Sequence, residues 1–207
     1  MLRTEIIFPH HPLRADVENH IRAAYQNKYD AVIHEFPHML LAMIDGERTI
    51  SCACGVRFAS TGFFSTSYLE DDASKMISKA FQHNFTKDDI LEVTTLASKR
   101  TGHAVKLVQQ VVYLARQLHK PIGLFTTTQK LKKILERAGL RLVQLADADA
   151  MKIKNAKDWG RYYEEQPAVF AVWDDVHQPI TLFGAEQHLH IFPFTNAILQ
   201  SRGQVHV

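Results

Sequence analysis

The stretch LEVTTLASKRTGHAVKLVQQVV, residues 91–112, changes character halfway. Its first part is apolar and β-branched, which predicts a strand over 90–97. From Gly102 onward apolar residues recur at helical spacing (Ala104, Leu107, Val108, Val111, Ala115, Leu118), which predicts a helix over 102–119. Between the two stand Lys99, Arg100, Thr101 and Gly102, so two cations and a glycine sit where a helix begins. A helix start offers free N–H groups and the positive end of the macrodipole, and small residues let a ligand approach the backbone. The pattern Lys99-x-x-Gly102-x-Ala104 therefore suits a diphosphate or the phosphate of a phosphopantetheine arm, although a plain helix cap has the same appearance.

Working outward, Pro121 ends the helix turn and IGLFTTT, 122–128, reads as a second buried strand. Strand, helix and strand in this order predict a parallel pair joined by a right-handed crossover. QKLKKILERAGL is a basic helix over 129–140 with Gly139 as its C-terminal stop, followed by extended RLVQLA and a further strand in AVFAVWD. Upstream, residues 5–8 form a short strand stopped by Pro9, and Pro12 and Asp16 introduce a helix with Val17, Ile21, Ala24 and Tyr25 on one stripe. Asp45-Gly46 between two apolar runs signals a hairpin with strands near 38–44 and 48–59. A Ser/Thr/Phe loop at 60–67 precedes an acidic-started helix over 70–83. The pattern is that of an α/β fold, with a domain over 1–178 and a His- and Phe-rich appendage over 179–207.

Composition excludes several function classes. The 207-residue chain has a net charge of only +2, yet residues 99–141 hold ten Lys or Arg against one acid, Glu136, a local charge of +9. Such asymmetry points to an acidic ligand or partner. No aromatics interleave with those cations, which argues against a nucleic-acid module. Cys52 and Cys54 are too close for an ordinary disulfide and lack a second pair to complete a metal site, so they read as core thiols. The rings of His188 and His190 share a strand face, but no third ligand stands at a recognised spacing, and no metal is expected. There is no G-x-S-x-G string for a serine hydrolase. The N-terminus is too polar for a secretory signal and no run approaches 18 apolar residues, so a cytoplasmic protein without a transmembrane segment is expected.

The element order resembles the GNAT-type acyltransferases, and the strings EVTTLASKRTG, LFTTT, LERAGL, LADAD and WGRYY, in this order, resemble the thermostable hemolysin family over about residues 12–174. That family's pattern in turn looks like a divergent GNAT-like acyltransferase, and LEVTTLA is similar to a strand of acyl-homoserine-lactone and N-acyl-amino-acid synthases. The resemblance implies a mixed sheet flanked by helices, with splayed parallel central strands and an acyl thioester in the gap. It implies acyl-CoA or acyl-phosphopantetheine as co-substrate, coenzyme A or acyl carrier protein as donor, and a small amine or amino-acid-like acceptor. Carrier binding falls on Leu96, Ala97, Lys99, Arg100, Thr101, Gly102, His103 and Ala104, with Thr128 and Lys133 beyond. Thr94-Thr95 replace the family's Gly-Asn, Lys133 replaces its Asn, and Leu135 stands where GNAT enzymes carry a tyrosine acid.

Three residues are candidates for the chemistry. Glu92 reads either as a general base or amine anchor, or as a structural carboxylate beside a cation. Thr126, alternating with Thr128, reads as a hydrogen-bond donor to the acyl group or as an ordinary strand threonine. Tyr162, in the aromatic WGRYY string, reads as the acid missing at Leu135 or as a ring packed on the sheet. The alternative to an enzyme is a membrane-active protein, as the family name suggests; the basic helices at 103–119 and 129–139 are instead expected to spend their apolar faces on the core.

Overall fold

Alternation along the strands decides which helix covers which face. In β2 (Met39–Ile44), Leu40, Ala42 and Ile44 pack against α1 (Arg14–Tyr29), whereas Leu41 and Met43 pack against α3 (Thr101–Gln117). The chain also forms β1 (Arg3–Ile7), β3 (Ile50–Arg57), α2 (Ala73–Phe81), β4 (Ile90–Ser98), β5 (Ile122–Thr127), α4 (Gln129–Arg137), β6 (Val143–Asp147) and β7 (Ala168–Trp173). The computed structural model describes residues 2–182; His188, His190 and most of the expected appendage lie outside the described residues.

One seven-stranded sheet runs in the order β1-β2-β3-β4-β5-β7-β6. Helices α1 and α2 cover one face and α3 and α4 the other, so both faces of the central strands are buried. Cys52 and Cys54 are free, buried thiols on the α3 side, and burial pushes Cys52 up to about 12, which makes it unreactive. The expected parallel pair is present: β4 and β5 run together from Ile90↔Ile122 to Val93↔Phe125.

Most elements lie within a few residues of their sequence-predicted bounds. The acidic start of α2 is shorter than expected because Asp72 caps the helix, accepting from the Ser74 amide. Gly139 sits one residue beyond the Ala138 cap at φ 115°, where the amides of Gly139 and Leu140 reach back to Glu136 and Leu135. That Schellman closure needs a left-handed residue, and glycine adopts it without steric cost. The expected loop at 60–67 forms two 3-10 turns, Ala59–Thr61 and Phe64–Tyr68. The boundary expected at 178 is not where packing ends, since Ile180 and Leu182 join the apolar cluster under α4.

Candidate active site

β4 and β5 stop pairing at Val93↔Phe125, although β4 continues to Ser98 and β5 to Thr127. The cause lies on the other side of β4. Its register with β3 passes from Ala53↔Ala97 to Gly55↔Thr94, which leaves one extra residue in β4. A bulge of this kind bends its strand and takes backbone groups out of the ladder. Thr95 adopts φ 48° there, an uncommon conformation for a β-branched residue. The hydroxyls of Thr94 and Thr95 are buried and unpartnered.

A cavity of about 710 Å³ passes through the gap. On the α3/α4 side its walls are apolar, with Val108, Val111, Phe125, Leu131, Leu135 and Leu140. On the α1 side they are aromatic and polar, with His20, Tyr25, Asn27, Lys28, Tyr29 and Tyr162. Thr94, Thr95, Leu96, Thr126 and Thr127 line the passage between the two limbs. The bulge thus supplies a doorway lined by Thr94 and Thr95, with an apolar chamber on one side only.

At the edge of this doorway α3 begins without a side-chain cap. The Ser98 hydroxyl donates to the Arg100 carbonyl at 2.6 Å and holds the turn, and the first backbone bonds into the helix come from His103 and Ala104. The preceding amides, Thr101 and Gly102, have no partner among the described residues, as a helix start requires. Leu96, Ala97, Lys99, Thr101 and Ala104 line the cavity; Arg100 and Gly102 are exposed just outside it. A side chain at Gly102 would meet nothing within the protein, so the space above this glycine is open to a ligand. His103 does not line the cavity and its Nδ1 is buried without a partner, while Lys133 is exposed on α4. Thr128 lines the cavity but its hydroxyl caps α4, accepting from Leu131 at 3.4 Å, so its local role is structural.

Glu92 is not presented to the cavity. It is fully buried on the α1/α2 face, and its two carboxylate oxygens accept from the Phe64 and Ser65 amides, each at 2.7 Å. Its carboxyl is pushed above the ordinary range, because burial outweighs the hydrogen bonds from Ser65 and Phe64 and the attraction of Arg57. Glu92 therefore does not reach the cavity directly, contrary to what the general-base reading expected. Ser65, whose amide donates to Glu92, carries its hydroxyl 2.8 Å from the Thr126 hydroxyl, and Thr126 does line the cavity.

Tyr162 comes to the doorway by a glycine-dependent fold. Gly160 sits at φ 50°, where any side chain would collide with the Tyr29 and Asp30 carbonyls at the end of α1. The Arg161 amide then donates to the Tyr29 carbonyl at 2.7 Å, and the Tyr162 hydroxyl reaches the Thr126 carbonyl at 3.4 Å. Burial among Tyr25, Tyr29, Tyr68 and Tyr163 raises its pKa far above that of a free phenol. It therefore stays protonated, as a hydrogen-bond donor rather than a source of protons.

Two residues of the site escaped the sequence reading. Ser65 sits in a Ser/Thr-rich loop with no local signal. His20 lies on the α1 stripe at the cavity wall, with Nε2 buried and unpartnered. Burial, with the nearby charge of Lys99, lowers its pKa and keeps the ring neutral. No cluster of three or more potential metal ligands occurs among the described residues.

An open mixed sheet with splayed parallel central strands, an uncapped helix start at the splay and a through-cavity define the GNAT-like acyltransferase fold. The acyl-homoserine-lactone synthase LasI superimposes with a TM-score of 0.61 at 10% identity, covering 93% of this chain and 98% of that one. BjaI, a CoA-dependent acyl-homoserine-lactone synthase solved with SAM and isopentyl-CoA, gives 0.57 at 12% identity, covering 86% of each chain. FeeM, an N-acyl amino acid synthase from uncultured soil microbes, gives 0.56 at 14% identity, covering 84% of this chain and 92% of that one. No curated protein matches the chain significantly. The chain belongs to the thermostable hemolysin family, whose profile matches residues 7–177.

Proposed function

We propose that the protein is an acyltransferase that moves an acyl chain from a thioester of coenzyme A or of acyl carrier protein to an amine, by direct attack. The observation that carries this reading is the two-sided cavity: one apolar limb, one polar and aromatic limb, meeting at the splay beside an open helix start. The carrier phosphate would rest on the Thr101 and Gly102 amides with Lys99 and Arg100 beside it. The pantetheine arm would follow the freed edge of β4 past Leu96 and Ala97, placing the thioester at Thr94–Thr95 and its chain under α3. Their buried, unpartnered hydroxyls would polarise the carbonyl once a side-chain rotation turned them into the cavity.

The acceptor amine would enter from the α1 side, where His20 lines the wall and its unpartnered Nε2 would accept one of the amine's N–H groups after a small rotation of the ring. A proton leaves the ammonium to Thr126 Oγ1 as the Thr126 proton passes to Ser65 and the Ser65 proton to Glu92, whose raised pKa suits it to receive one. The amine then attacks the carbonyl carbon, the C–S bond breaks, and the nitrogen's second proton goes to the departing thiolate. Tyr162 would donate a hydrogen bond at this point and keep its proton. The fold supplies mainly positioning and electrostatics. A cytoplasmic location, where acyl thioesters are made, fits this chemistry.

The test is purified protein with acyl-CoA or acyl carrier protein, together with a mass comparison of lipid extracts from cells with and without the chain. New N-acyl species, formed with equimolar release of thiol, are expected. Their absence with both donors and a broad panel of amines would defeat the reading.

A further inference from the structure

The apolar limb has a floor, and the floor is made by the chain just beyond β7. The limb follows α3 from Ala104 to Ala115, about 16 Å at 1.5 Å per residue. At its far end the walls become Ala115, Lys120, Pro121, Gly123, Asp174 and Ile180. Ile180 is held there by a clamp. Arg116 donates two bonds to the Asp174 carboxylate, at 2.6 and 2.9 Å, and a third to the Ile180 carbonyl at 2.9 Å. The Ile180 amide returns a bond to Asp174 at 2.8 Å, and the Asp174 amide is tied to the Pro121 carbonyl at 2.8 Å. Leu182, buried in the cluster under α4, fixes the segment on its other side.

We infer that this segment is a ruler for chain length, with Ile180 as the stop and the Arg116–Asp174 pair as the brace that keeps it in place. The inference rests on the acyl reading of the cavity and adds to it a specificity-determining residue. Each methylene that still fits gains apolar contact and raises affinity about fourfold. The first carbon past the floor must displace Ile180, and with it the bonds that bind this segment to Arg116 and Asp174. Affinity should therefore climb with length, peak and fall, rather than climb without limit. The brace also explains why a charged pair stands at the end of an apolar chamber: a two-bond guanidinium–carboxylate contact fixes direction as well as distance.

The experiment uses the full chain and straight-chain fatty acids from butyric to palmitic, competing with a fluorescent fatty-acid probe; no turnover is required. Ile180→Gly should move the affinity peak to a chain at least two carbons longer, and Ile180→Trp to one at least two carbons shorter. Arg116→Ala, which frees the brace without touching the lining, should broaden the peak toward longer chains. Thermal melts establish that each variant is folded, and the opposite direction of shift expected for the glycine and tryptophan variants separates a moved floor from a general loss of packing. An unmoved peak in all three variants overturns the ruler while leaving the acyl cavity standing. Failure of the wild type to bind any chain overturns both. Shifting peaks in a protein that transfers nothing would support the ruler and count against the transfer chemistry alone.

Discussion

At the scale of single residues, the hydroxyl of Ser65 is the most informative atom of the site. It is 1% exposed and stands between the cavity-facing Thr126 and the buried Glu92. Ser65→Ala removes it but keeps both backbone bonds to the carboxylate, so the destabilisation should be only about 1 kcal/mol. If protons travel this way, kcat should fall about 10²-fold with little change in KM for the thioester. Glu92→Gln is a blunter change, because an amide cannot accept from both the Phe64 and Ser65 amides, and about 1–3 kcal/mol of stability should go with it. The pH profile adds an independent check. Glu92 must be ionised to take a proton and its pKa is raised, so activity should fall on the acid side at a pH above the ordinary carboxylate range. Ser65→Ala should weaken or abolish that limb. Glu92 and Thr126 were candidates from sequence, but their link was not visible: Ser65 is 27 residues from Glu92 and 61 from Thr126, and only the 3-10 turn at Phe64–Tyr68 brings them together.

At the scale of elements, β4, α3 and β5 were legible because each carries its own local signal. Apolar, β-branched runs gave the strands, the 3.6-residue stripe gave the helix, and the order of the three gave the parallel pairing. The bulge that opens the site was not legible. Thr94 and Thr95 have the β-propensity of any strand residue, and the positive φ at Thr95 comes from the register imposed by β3. The start of α3 makes a clean test of the carrier reading because its glycine is free of internal contacts. Gly102→Val should leave the melting temperature nearly unchanged while obstructing a phosphate at the backbone, so thioester affinity should drop without loss of fold. Lys99→Ala with Arg100→Ala should cost about 1.5–3 kcal/mol in carrier binding if the pair makes charge-assisted contacts. Calorimetric titration with acyl-CoA that shows no change in either variant would make the turn a plain helix cap.

At the scale of the whole molecule, the family name raises direct lysis, and the distribution of apolar surface argues against it. The inward residues of α3 and α4 belong to clusters with β-strand partners, and no helix among the described residues is long and apolar enough to cross a membrane. A lytic segment would have to leave this core, giving up contacts that fold the sheet. Under the proposed function, transfer of a long acyl chain to an amine would be another route to the lysis that the family name records, since the product would be a surfactant. Dye release from liposomes should then require donor and acceptor together with the protein, and the protein alone should release none.

The charge asymmetry belongs to the same scale, and its structural placement sharpens what it predicts. Of the ten cations between Lys99 and Arg141, Arg116 is committed to Asp174 and Lys132 pairs with Glu136 at 2.9 Å. Lys99 and Lys130 stand at the cavity rim, Arg100 is exposed beside Lys99, and Lys133 is exposed further along α4. Coenzyme A needs few of these contacts, whereas an acidic carrier protein presents a whole surface to them. Acyl carrier protein should therefore serve at least as well as acyl-CoA at low salt. Its advantage should shrink at physiological ionic strength, where exposed charges are screened beyond about 8 Å. Reversing Lys130 and Lys133 to Glu leaves the Lys132–Glu136 pair and the cavity walls under α3 untouched. The reversal should slow transfer from carrier protein more than from acyl-CoA, through the association rate. Rates from carrier protein that ignore both salt and charge reversal would make coenzyme A the donor and the basic mouth a solvated face.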